Sequence, residues 1–138
     1  MPQLKISSGL QLTPEGKKLI TEFSAWCYNK LGLTTPCDII CCKKGEYPGI
    51  STGGYDPSNH NVISRLQDRH PLDVIRTIAH ELVHLRQREL GYFDDKGNLK
   101  DGTRVPNIGG PVENEANAAS GILVKQFADQ FGKWIYEV

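Results

Sequence analysis

The stretch "DVIRTIAHELVHLRQREL", residues 73–90, constrains this chain more than any other. Leu72, Ile75, Ile78, Ala79, Leu82 and Val83 recur at helical spacing, so one face of a long helix must be buried. Pro71 opens that helix and Gly91 stands at its C-terminal stop, which predicts a span from Pro71 to about Leu90. His80 and His84 sit inside the apolar run at i and i+4. They share a face and lie roughly 6 Å apart along the axis. Both border buried surface, and a buried polar group must find a partner. Another part of the chain therefore has to reach this face.

Two imidazoles so placed can bind one Zn²⁺, at about 2.0–2.1 Å each. Glu81 is rotated about 100° from His80 and can stand beside a zinc-activated water without being a ligand. That is the place of a general base. A catalytic zinc normally takes three protein ligands. The chain has only four histidines, His60, His70, His80 and His84, and none follows the pentad. A third histidine downstream is excluded, which leaves a carboxylate or a thiolate. Cys27, Cys37, Cys41 and Cys42 all lie upstream. Downstream, "ENEAN" offers Glu113 and Glu115. Asn117 follows Glu113 by four residues, shares its face, and can accept the free ring N–H of a pentad histidine. Ala119 stands at the corresponding place after Glu115. Glu113 is thus the preferred third ligand, and Glu115 suits an acidic first turn.

The remaining pattern is that of an α+β domain spanning residues 1–138. Thr13-Pro14-Glu15 reads as an N-cap, an N1 proline and an acidic first turn, with the helix ending before Gly32. A strand is expected from about Asp38 to Lys43, and two more in "GISTGGYDP" and "HNVISRL", turning at Asp56–Asn59. Gly53-Gly54 marks a bulge or a close approach of backbone. A long polar loop follows Gly91, with a small hairpin at Asp95-Lys96-Gly97. Pro111 starts the last helix.

Lysine plus arginine and aspartate plus glutamate balance at 16 each, which argues against nucleic acid or anionic lipid as partner. The N-terminus has no signal-peptide pattern, and no apolar run approaches a membrane span. The cysteines form no C-x-x-C pair and read as free thiols of a cytoplasmic protein.

"HELVH", followed about thirty residues later by "ENEAN", is similar to the gluzincin metallopeptidases, in which a glutamate is the third zinc ligand. The ImmA/IrrE-like family is the nearest match, through "GGYDPSNHNVISRL…DVIRTIAHELVHLRQ" and the Glu-x-x-Ala-Asn pattern of Glu113, Ala116 and Asn117. Minimal single-domain gluzincins are comparably short. Val83 departs from the glycine usual at that position. The resemblance implies a compact zincin-like fold, a small twisted sheet against an active-site helix and a second helix bearing the glutamate. It implies a zinc endopeptidase with Glu81 as general base, acting on a polypeptide that pairs with an edge strand. The strand around Ile50 to Tyr55 or that around Asn61 to Leu66 is the candidate edge. Family members often cleave a repressor, and some occur in phage. Tyr55, His60, His70, Tyr92 and Tyr136 are candidates for stabilising the oxyanion, and Arg86 and Arg88 for selecting acidic substrates. The rival reading is a zinc-stabilised interaction module without turnover.

Overall fold

The computed structural model describes residues 2–104 and 110–137. Thr13 caps helix α1, Pro14–Lys30, with its Oγ1 accepting from the Gly16 N–H at 3.0 Å. Gly32 follows in the left-handed region at φ +66°, the conformation that a helix stop of this type requires. Helix α2, Pro71–Glu89, has Pro71 at its start and ends before Gly91 at φ +81°. Helix α3 is Gly110–Phe131, followed by a 3₁₀ turn, Lys133–Glu137. No helix among the described residues is long and apolar enough to cross a membrane.

Four strands form one mixed sheet: β1, Pro2–Ile6; β2, Cys37–Cys42; β3, Gly53–Asp56; and β4, Asn61–Arg65. Their order is β1-β2-β4-β3. β1 and β2 are parallel, β2 and β4 are parallel, and β3 runs antiparallel to β4. β1 was not legible as a strand. It is five residues long, never fully buried, and held by pairing with residues 37–41. The second strand starts one residue earlier than its apolar pattern suggests. The third is confined to Gly53–Asp56, because residues 49–52 form the connection from β2. β4 is paired on both sides, so the stretch from Asn61 cannot serve as an edge for a peptide. β3 is the edge strand on that side.

One face of the sheet packs on the helices. Ile39, Cys41 and Val62 join Leu19, Ile20 and Phe23 of α1 and Ile75, Ile78 and Leu82 of α2 in a continuous core. The other face carries the exposed Lys5–Asp38 ion pair at 2.9 Å. α2 is central: it packs against α1, α3, β3 and β4. Gly53 is what lets β3 come so close. A Cβ there would collide with the Thr77 methyl and stand 2.8 Å from the Ile63 carbonyl oxygen. The glycine pair thus marks a close approach, with the β3–β4 register running through it unbroken. The polar stretch after Gly91 turns at Lys96-Gly97, bridging Phe93 to Leu99. Its last part, residues 105–109, lies outside the described residues.

Candidate metal centre

The buried stripe of α2 carries the pentad to the floor of a cleft of about 1220 Å³, walled by β3 and the segment before it. His80 and His84, one turn apart, bring their Nε2 atoms to 3.2 Å. From α3, Glu113 reaches both: Oε1 is 2.7 Å from His80 Nε2 and Oε2 is 3.1 Å from His84 Nε2. Donors held at about 2.0–2.1 Å around one tetrahedral ion stand roughly 3.3 Å apart. Three donors already converge to slightly less than that spacing, so the residues present fit a zinc ion.

Of the two glutamates of "ENEAN", Glu113 is the one that faces the histidine pair. Glu115 turns away and accepts from the Gln87 side-chain amide at 3.0 Å. Asn117 shares the Glu113 face, lines the same cleft and acts to raise the His80 pKa. Burial lowers the His80 pKa, and the adjacent Glu113 charge opposes that shift. A neutral imidazole is the form that binds a metal.

Gln87 is the group that the sequence did not bring forward. It is fully buried and ties α2 to α3. Its Nε2 donates to the Val112 carbonyl and to Glu115 Oε1, both at 3.0 Å. Those two acceptors orient the amide, so its Oε1 faces His84 Nδ1 at 2.8 Å as an acceptor. His84 Nδ1 must then carry the proton, and its Nε2 lone pair is left facing Glu113 and His80. Position was the available signal: Gln87 is three residues after His84, on the same helical face.

Glu81 is buried, with its nearer oxygen 3.9 Å from His80 Nε2, a longer distance than any from Glu113. The donor atoms of His80, Glu81 and His84 all lie within 4.8 Å of one another. Burial first, and the Glu113 charge second, push the Glu81 carboxyl up to about 8. Its stem lies behind Gly53, where a Cβ would stand 3.8 Å from Glu81 Cγ. The proton-transferring candidate therefore sits between the histidine pair and the edge strand.

The wider candidates separate. Tyr55 lines the cleft, and its hydroxyl is 2.8 Å from His60 Nδ1. Burial raises its pKa, which keeps the hydroxyl protonated. His70 is used elsewhere: its Nδ1 caps α2 by accepting from the Leu72 N–H at 3.0 Å. Tyr136 lines a different, smaller depression, and Tyr92 is exposed. Arg76, rather than Arg86 or Arg88, is the helix α2 arginine at the cleft. All four cysteines are free and buried, so none of them is presented as an open ligand.

No family model, curated protein or solved structure matches this chain.

Proposed function

We propose that this chain is a zinc-dependent metallopeptidase of the gluzincin type, with a compact zincin-like fold. The observation that carries the reading is the convergence of His80, His84 and Glu113 from two helices beside a buried Glu81. His₂Glu with a neighbouring glutamate is the donor set of open catalytic zinc sites.

When bound, zinc supplies Lewis-acid polarisation of a carbonyl, activation of water, and a positive charge that draws the Glu81 pKa down from its buried value. Glu81 accepts a proton from the attacking water and returns it to the leaving amine. A carboxyl held at about 8 by burial and lowered by a nearby cation comes into the range where a general base works at neutral pH. Gln87 and Asn117 hold the two imidazoles in place. A polypeptide substrate adds to β3 as an extra strand, its backbone bonded to the free edge and its scissile carbonyl passing over Glu81. Mixed sheet, antiparallel edge strand and adjacent helix support that placement.

The test is zinc content by elemental mass spectrometry together with cleavage of a peptide library. One zinc per chain, lost in His80→Ala, and cleavage lost in Glu81→Gln with zinc retained are the expected results. Loss of a general base typically costs about 10²–10⁴ in rate. Zinc without cleavage in the native chain would favour the interaction-module reading. A fully active Glu81→Gln variant would remove the assigned role of Glu81.

A further inference from the structure

We infer that Arg69 is a positioning residue: it ties the start of the edge strand to α2 and thereby sets where a bound peptide meets Glu81. The inference rests on the peptidase reading for its catalytic half.

Arg69 lies in the turn between β4 and α2, after Asp68 in the left-handed conformation at φ +60°. Its guanidinium forms no ion pair among the described residues. Its terminal nitrogens instead join three segments. Nη1 donates to the Thr52 carbonyl at 3.2 Å and to the Arg65 carbonyl at 3.1 Å. Nη2 donates to the Asp73 carbonyl at 3.1 Å and to Thr77 Oγ1 at 2.8 Å. Thr52 immediately precedes β3, and its carbonyl also receives the Arg65 N–H at 2.8 Å. Thr77 is one turn before Glu81 on the same helix.

The two sides of this joint oppose each other. Arg69 draws Thr52 and Thr77 together. The Thr77 methyl, packed where Gly53 has no Cβ, stops the strand from coming closer. A tie and a stop acting on one pair of residues define a separation. The strand so held is the edge along which the peptide is proposed to lie. Misplacing a reactant by about 1 Å can cost on the order of 10²-fold in rate. A planar fork with fixed donors can make this joint, whereas a lysine ammonium cannot span the same acceptors.

The experiment uses Arg69→Ala, Arg69→Lys and Thr77→Val in the full chain. Thr77→Val keeps the methyl stop and removes one acceptor, so it is informative if Arg69→Ala fails to fold. Amide hydrogen exchange is read at residues 51–56 and in β1 and β2, beside zinc content, kcat and KM. Expected is exchange about tenfold faster, confined to 51–56, with zinc stoichiometry unchanged. With it, kcat falls by about 10²-fold in Arg69→Ala while KM moves less, and Arg69→Lys is intermediate. Unchanged exchange at 51–56, or an equal rise through β1 and β2, overturns the tie. Unchanged kcat per zinc-loaded molecule overturns its catalytic consequence. A zinc-loaded native chain that cleaves nothing overturns the peptidase reading and that consequence together, while the exchange result still decides the tie.

Discussion

Replacing Gln87 by leucine removes the hub that joins the two ligand-bearing helices. The native side chain is fully buried and makes three hydrogen bonds, to His84 Nδ1, the Val112 carbonyl and Glu115 Oε1. Glu115 is exposed and can turn to water, so its loss costs little. The His84 N–H is left unpaired in a buried place, while the Val112 carbonyl keeps the helical N–H four residues on in α3. At about 1–3 kcal/mol for that stranded group and about 0.5–1.5 kcal/mol for the lost bond to Val112, the penalty is roughly 1.5–4.5 kcal/mol. Leucine's apolar surface offsets about 1–2 kcal/mol of that. The expected loss is therefore about 0.5–2.5 kcal/mol, against the roughly 5–15 kcal/mol that holds a domain folded. Zinc affinity should fall as well, by about 10–100-fold, because His84 loses the acceptor that fixes its tautomer. Urea denaturation of the metal-free protein measures the first quantity, and competition with a chelator of known affinity measures the second. No measurable stability loss with zinc affinity intact would refute the hub, since neither the stranded N–H nor the tautomer control would then exist.

Glu113→Ala should weaken zinc binding by more than about 100-fold and Glu115→Ala hardly at all, measured by the same chelator competition; the reverse order would move the ligand to Glu115. Gly53→Ala should destabilise by about 1–3 kcal/mol, because the new methyl meets the Thr77 methyl and the Ile63 carbonyl, both fixed by packing. Gly54→Ala meets only the Ile50 side chain and should cost less, so equal denaturation midpoints for the two would contradict the close approach. Burial raises the thiols of Cys37 to about 11 and Cys41 to about 12, from an unperturbed 9.0. As pH climbs, the unfolded chain ionises first, so this share of stability is complete below about pH 8.5 and is lost toward pH 11–12. Cys41→Ala should flatten the alkaline fall in denaturation midpoint, and an unchanged slope would show that the thiol contributes nothing to it.

What the sequence made legible was whatever rests on neighbours along the chain. Thr13 with Pro14, Pro71, Gly32 and Gly91 punctuate α1 and α2 by local backbone rules, and the structure places the helix ends at those residues. The pairing of His80 with His84 is likewise a property of helical pitch. Glu113 was preferred by the same kind of spacing, its four-residue separation from Asn117 within the last helix. β1 and the edge status of β3 depend instead on which distant strands pair, and a five-residue half-buried strand carries too little apolar pattern to announce that.

Gln87 and Arg69 mark the boundary between the two kinds of information. Gln87 lies on a legible face, three residues from a legible histidine, yet its importance comes from the Val112 carbonyl 25 positions away. Arg69 bonds three backbone carbonyls and a threonine hydroxyl, groups that any sequence could offer. A carbonyl acceptor leaves no residue signature, so a side chain that works on backbone is invisible until the backbone has a path. The donors at the centre belong to the readable class because their chemistry needs particular side chains. The groups that hold those donors at their distances belong to the other class, and perturbing them tests whether the site is set by the fold as well as by the pentad.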